Sequence, residues 1–326
     1  VLFTHVNADG KLGAWSSTTS LPTGRVAHRS LIYNGYIYIS GGGDSGYSIL
    51  NDVLFAKINK DGTIGPWNTT NSFVGKRAWH TSFINNGFMY VVGGHDGPTY
   101  YDDVQFAPIR PNGHVGTTWV KTADFDTGRY GHCSVYYNGF AYVVGGYASS
   151  GRRNDVQVAQ VYADGATGSW NATTPVPTIR QGPSCLANDG YLYVIGGETA
   201  GSRLNDVQYA PILPDGTIGN WTATSSFSIP RYYHASLAYN GYIYILGGAD
   251  GTNWHNDVQY ASIKGDGSLG TWTTNATSFS GARANHVGLA ANGRIYVIGG
   301  YPGPTTSVQY AQINVDGSVG TWTGTA

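Results

Sequence analysis

The chain has 326 residues with 48 Gly, 25 Tyr and 9 Trp but only 11% charged side chains, a composition poor in material for surface helices and suited to short strands joined by tight turns. Its formal net charge is −1 and Arg152-Arg153 is its only basic cluster, so the electrostatic footprint of a nucleic-acid binder is missing. No run of 18 apolar residues occurs and no basic-then-apolar leader opens the sequence, so neither membrane insertion nor an uncleaved signal peptide is expected.

In chain order, residues 1–16 come first, with Phe3, Asp9-Gly10 and Trp15 reading as a lone hairpin. A repeat follows. Gly-Gly doublets stand at Gly41-Gly42, Gly93-Gly94, Gly145-Gly146, Gly196-Gly197, Gly247-Gly248 and Gly299-Gly300, 51 or 52 residues apart. An Arg precedes each doublet in fixed phase (Arg25, Arg77, Arg129, Arg180, Arg231, Arg283), and an Asn-Asp-Val or close variant follows it. A Trp marks the end of each unit: Trp67, Trp119, Trp170, Trp221, Trp272 and Trp322, with Trp15 closing the lone hairpin.

Within the first repeat, residues 28–33, 36–40, 53–59 and 64–68 read as four short strands rich in Tyr, Ile and Val. Asn34-Gly35 and Asp61-Gly62 are hairpin turns, because both positions must take positive backbone angles. Four such strands cannot bury their faces alone, so neighbouring units must stack, with the repeat Trp and the second-strand aromatics between them. The expected fold class is all-β: a β-propeller of four-stranded antiparallel blades, six of them complete.

The pattern Arg231-x-x-His234, Asn240-Gly241-Tyr242-Ile243-Tyr244-Ile245-Leu246-Gly247-Gly248, Asn256-Asp257-Val258 and Trp272 resembles the Kelch repeat, and it covers essentially the whole chain. The resemblance implies a single Kelch-like propeller domain over residues 1–326, with residues 1–16 an extra half-blade. A seventh blade is possible because third-and-fourth-strand hairpins outnumber first-and-second pairs. That spare hairpin belongs to an incomplete blade, to a longer array, or to a pairing with another molecule.

Alternating strand direction puts the repeat arginines and the Gly-Gly doublets on one face, where Arg25, Arg77, Arg129, Arg180, Arg231 and Arg283 are candidate donors to carboxylate, phosphate or sugar hydroxyls. In Kelch relatives arginines at this position line ligand pockets, as the resemblance implies. The competing reading has each Arg bonded to backbone carbonyls and to the Asp of Asn-Asp-Val. His28, His80, His132, His234 and His286 follow the Arg by three residues. One His per repeat places them too far apart to share an ion, so no metal and no cofactor is expected. The Asp-Gly turns carry too few carboxylates for calcium.

Catalytic residues are not identified. The single Glu, Glu198, could pair with Asp250 or Asp96 as a glycosidase carboxylate, the enzyme alternative. Trp79 and Trp254 are the two Trp outside the repeat register, and with Tyr130, Tyr232 and further tyrosines (Tyr47, Tyr100, Tyr101, Tyr147, Tyr233, Tyr301) they fall on the Arg-bearing face. Rings with polar tips in such a place suit ligand contact. The expectation is therefore a non-enzymatic binding propeller, taking carbohydrate or an acidic protein segment; the third alternative is a structural subunit that self-associates through the spare hairpin. Few Lys and Glu among abundant Thr, Ser and Asn lean toward a secreted or cell-surface setting. Cys133 and Cys185, four and five residues after their repeat Arg, are expected as free buried thiols on splayed strands.

Overall fold

The computed structural model describes residues 2–3, 16–17, 19, 21–44, 46, 48–60, 64–291, 293–298, 300–302 and 308–324. Trp15, Tyr47, Gly299 and the Asp9-Gly10 and Asp61-Gly62 turns lie outside them. Every regular element among the described residues is a strand, and none of their segments is a helix able to cross a membrane.

The described residues divide into two compact units, 2–3 with 16–173, and 174–324. In the first, three four-stranded antiparallel sheets follow one another: Arg29–Tyr33, Tyr36–Gly43, Ile49–Lys57 and Asn68–Thr70; Thr81–Asn85, Phe88–Val92, Val104–Pro108 and Val120–Lys121; then Cys133–Tyr137, Phe140–Val144, Val156–Gln160 and Asn171–Thr173. The second unit repeats the plan in Ser184–Asn188, Tyr191–Glu198, Arg203–Pro211 and Thr222–Thr224; Ala235–Tyr239, Tyr242–Ala249, Trp254–Ser262 and Thr273–Thr274; and Val287–Ala291, Arg294–Ile298, Val308–Gln312 and Thr323–Gly324. Each sheet is one blade of a β-propeller. Leu2–Phe3 pairs with Ser16–Ser17 as a separate two-stranded ladder.

The turns form for local reasons. Asn34 and Gly35 sit at φ +46° and +75°, and the pairs at 86–87, 138–139, 189–190 and 240–241 repeat this left-handed geometry, which suits a two-residue hairpin. At the other hairpin the Asp carboxylate accepts the N–H two residues on, as Asp215 does from Thr217 at 3.0 Å, and Asn112 replaces Asp with the same bond to the His114 N–H.

Three contacts join each sheet to the next inside a unit. The first is the buried second-strand Tyr, whose hydroxyl donates to the turn glycine of the following repeat: Tyr38 to Gly113 (3.0 Å), Tyr90 to Gly165 (2.8 Å), Tyr193 to Gly267 (2.8 Å) and Tyr244 to Gly317 (3.0 Å). The second is the repeat Trp, which donates back to the preceding repeat, Trp119 to Asn71 O at 2.8 Å and Trp272 to Ser225 O at 2.7 Å, while its ring meets Phe73 or Phe227 edge-on. The third is the Gly-Gly doublet. Gly93 and Gly94 take φ +58° and +96°, and the Gly94 N–H donates to Arg129 O at 2.8 Å; a Cβ on Gly93 would stand 2.8 Å from the His132 ring and 3.0 Å from Arg129 O. The doublet exists because two backbones and a histidine meet there.

The cysteines correct the sequence expectation: both Cys133 and Cys185 are disulfide-bonded, and neither is a free thiol. The assumed splay of neighbouring first strands is wrong. Residues four past the Arg of one repeat meet residues five past the Arg of the next, as Thr81 Oγ1 meets Ser134 Oγ at 2.6 Å in the first unit and Ser184 meets Ser236 in the second.

Candidate functional site

The side chains of the six arginines point into the fold, five of them as clasps onto an Asp, which corrects their assignment as ligand donors. Arg77, Arg129, Arg180 and Arg231 are 0% exposed and Arg283 is 4% exposed. In five repeats the guanidinium forks onto an Asp within the third strand of its own sheet or directly before it: Arg25 to Asp52, Arg77 to Asp103 (2.7 Å), Arg129 to Asp155 (2.7 Å), Arg180 to Asp206 (2.9 Å) and Arg231 to Asp257 (2.6 Å). Nη1 also donates to the first doublet carbonyl, at 2.7 Å for Arg231 and Gly247, and Nε to a carbonyl two residues back, at 3.1 Å for Arg231 and Ile229. In the sixth repeat Ser307 stands where the others have Asp, and Arg283 turns to the carbonyls of Gly281 and Ser280 at 2.9 and 2.8 Å. With their donors directed into their own sheets, these side chains have little left to offer a ligand.

Sequence reading missed the residue that steadies the clasp. Gln105, Gln157, Gln208 and Gln259 each donate to the neighbouring Asp, at 2.8 Å for Gln259 and Asp257. The signal was present as a Gln two residues after the Asp in four repeats.

The histidines are packing elements. His80 lies against Phe73 with Nε2 3.2 Å from Ser40 Oγ, and His132 lies against Phe125 with Nε2 3.0 Å from Thr81 Oγ1. Burial, followed by the Coulombic effect of nearby arginines, pushes the His132 pKa down to about 3.

The carboxylates of the enzyme reading are engaged elsewhere. Asp250 accepts the N–H groups of Thr252 and Asn253 at 2.7 and 2.6 Å and stands 3.0 Å from His255 Nε2; the Asn253 N–H leads in holding its pKa at about 2, so it has no proton to donate at neutral pH. Asp96 accepts from the Thr99 N–H and the Tyr101 hydroxyl, which makes it a turn acceptor. Glu198 stands 3.6 Å from Arg203, whose guanidinium lies 5.3 Å from the Tyr232 ring centre.

What varies between repeats is a cross-strand pair on the loop edge. The residue after each Arg bridges the residue after each doublet: Val26 with Gly43, Ala78 with His95, Tyr130 with Tyr147, Gln181 with Glu198, Tyr232 with Ala249, and Ala284 with Tyr301. The next residue is left-handed in every repeat and links to its counterpart one repeat away: the Trp79 N–H donates to Ala27 O at 3.1 Å, and the Asn285 N–H to Tyr233 O at 2.9 Å. For Trp79 at φ +50° and Tyr233 at φ +53° this backbone is costly, and the belt of hydrogen bonds holds it. One backbone frame thus carries a different side chain in each repeat.

In the first unit this frame gathers rings. Trp79 stacks on His95 (5.2 Å, 19°), His95 meets Tyr130 at 4.4 Å, and Tyr100 and Tyr147 close on Tyr130 at 5.6 and 5.5 Å. Arg152 lies 5.6 Å from the centre of the Tyr147 ring. All five rings are half-buried. His95 was missed from sequence, although it follows a doublet directly, as Tyr147 and Glu198 do. In the second unit Trp254 and Tyr301, 36% and 53% exposed, meet edge-on at 5.1 Å, and Tyr232 packs on Tyr233 at 4.7 Å.

A family model described as the KLHDC2/KLHL20/DRC7 Kelch-repeats domain matches residues 131–316, more than half the chain. The chain belongs to the Kelch-repeat family. Among its Kelch relatives, β-scruin of Limulus polyphemus is 29% identical over 243 residues, spanning 69% of this chain and 25% of that protein. Kelch-like protein 36 of Mus musculus is 23% identical over 252 residues, 74% of this chain and 38% of that one. The chain therefore spans about a quarter to two-fifths of the length of these relatives. A solved structure, that of YjhT, superposes with a TM-score of 0.72 over 95% of this chain and 99% of its own at 18% identity, which speaks for the propeller fold alone. A Kelch-repeat propeller is in general a protein-interaction module.

Proposed function

We propose that this Kelch propeller is a non-enzymatic binding module whose ligand, a glycan or a segment of another protein, docks on the loop edge that carries the variable cross-strand pairs. The observation that carries this reading is the constant frame with changing side chains, filled in the first unit by Trp79, His95, Tyr100, Tyr130 and Tyr147. Structural residues recur in each repeat, whereas these do not. A glycan is favoured because flat rings stack on the apolar faces of sugars while phenol hydroxyls and the Arg152 guanidinium meet their oxygens. The acidic-segment reading loses its support with the arginines buried.

Extracellular or cell-surface placement belongs to the same proposal, supported by a composition poor in Lys and Glu and by cysteines that are both oxidised. Self-association through the spare hairpin is supported only by the separate ladder of Leu2–Phe3 with Ser16–Ser17.

A glycan array probed with the whole chain tests the reading. Wild type should give hits that Trp79→Ala and Tyr130→Ala abolish, with circular-dichroism spectra unchanged. A silent array, or hits that survive both substitutions, would remove the glycan.

A further inference from the structure

The second repeat replaces the Asn of the Asn-Asp-Val register with an acid. Asn51, Asn205 and Asn256 each donate a side-chain N–H to the carbonyl of Phe73, Phe227 and Phe279, at 2.7, 2.7 and 2.6 Å, and each Phe N–H returns to the Asn carbonyl at 3.2 Å. In the second repeat the residue is Asp102. The backbone half of the contact persists, the Phe125 N–H donating to Asp102 O at 3.0 Å. The side-chain half cannot, because a carboxylate has no proton to give and would face another acceptor.

Asp102 is exposed where the three asparagines are half-buried. It lines a cavity of about 260 Å³ together with Val74, Gly75, Arg77, Tyr101, Asp103, Gln105, Trp119 and Lys121, the Arg77 guanidinium lying 4.0 Å from the Tyr101 ring centre. The surrounding charges are already matched, Asp103 with Arg77 at 2.7 Å and Lys121 with Asp124 at 2.9 Å. Among the described residues Asp102 has no cation within ion-pair distance, and partial burial raises its pKa above the ordinary carboxylate value. Val74 beside it is 69% exposed.

We propose that this cavity is a docking pocket for a lysine or arginine side chain of a partner protein, whose aliphatic stem lies along Val74 and Tyr101 and whose cationic head meets Asp102. Charge complementarity selects the occupant: with Arg77 and Lys121 already paired to Asp103 and Asp124, the unmatched Asp102 carboxylate beside Val74 and Tyr101 suits a donor that is both cationic and long-stemmed. The pocket is independent of the aromatic edge, since none of the five clustered rings lines it.

The test is an amide chemical-shift titration of the whole chain with Nα-acetyl-lysine methylamide, with the norleucine analogue as the neutral match. Lysine should give saturable shifts at Val74, Gly75, Tyr101 and Lys121, norleucine should not, and Asp102→Asn should weaken binding about two- to fivefold. Trp79→Ala should bind the lysine probe as wild type does, which separates this pocket from the aromatic site. Melting supplies the second readout: Asn at 102 restores the donor used in the sister repeats, so Asp102→Asn should raise Tm. Equal shifts with norleucine, no shifts with lysine, unaltered lysine binding by Asp102→Asn, or a lowered Tm in that variant would each overturn the proposal.

Discussion

Acid should unfold this protein well above the carboxylate range, and the cause is the histidine that recurs in five repeats. Burial, with the nearby arginines next in weight, lowers His28 to about 4 and His132 and His234 to about 3; burial and then Arg283 lower His286 to about 3, and burial with neighbouring cations lowers His80 well below its ordinary 6.5. These side chains stay neutral in the fold and take up protons only on unfolding. The unfolded chain therefore binds more protons below pH 6.5, and stability present above that value is lost as pH falls through it. At about pH 5.5 each histidine costs about 1.2 kcal/mol relative to pH 7, so five cost about 6 kcal/mol, comparable with the whole stability of an ordinary domain. The clasp carboxylates do not interfere: Asp155, Asp206 and Asp257 are held below 3.8 by their arginines against the opposing effect of burial, and they are lost only at more acidic pH. Urea unfolding followed by tryptophan fluorescence at a series of pH values measures the slope directly. His286→Asn should reduce proton uptake on unfolding from about five to about four, whatever it does to absolute stability. Constant stability between pH 7 and 5.5 would show that the histidines are hydrated or already charged, and the account of them as neutral packing groups would fail.

Two further outcomes test the clasps. Asp257→Asn leaves the buried Arg231 fork without its counter-charge, and a loss of about 3 kcal/mol in urea unfolding is expected; a loss near zero would mean that Arg231 is solvated after all. Gly196→Ala forces a Cβ to within 2.8 Å of Arg231 O on a backbone at φ +56°, so melting should fall by several degrees, whereas Gly201→Ala, with open space around it, should change little.

The sequence by itself determined the repeat, the four strands of each unit and their turns. Asn-Gly and Asp-Gly select hairpin geometry through φ at two adjacent residues, and alternating Tyr, Ile and Val select a pleated, half-buried strand; both depend on chain neighbours only. It also flagged Trp79, Trp254, Tyr130 and Tyr232, because an aromatic outside a strict repeat register needs a reason other than the fold. It could not say where the arginines point. The Asp that binds Arg231 lies 26 residues away and reaches it only when the third strand returns beside the second, so a pattern that equally fits a ring of open donors proved to be a set of closed clasps. The cysteines were misread for the same reason: whether two phases of adjacent repeats touch depends on how closely first strands approach, and sheet packing sets that distance. His95 and Asp102 gained meaning only in the structure. One became part of an aromatic cluster through a cross-strand bridge, and the other became an unmatched carboxylate through comparison with three asparagines whose bonds the fold reveals.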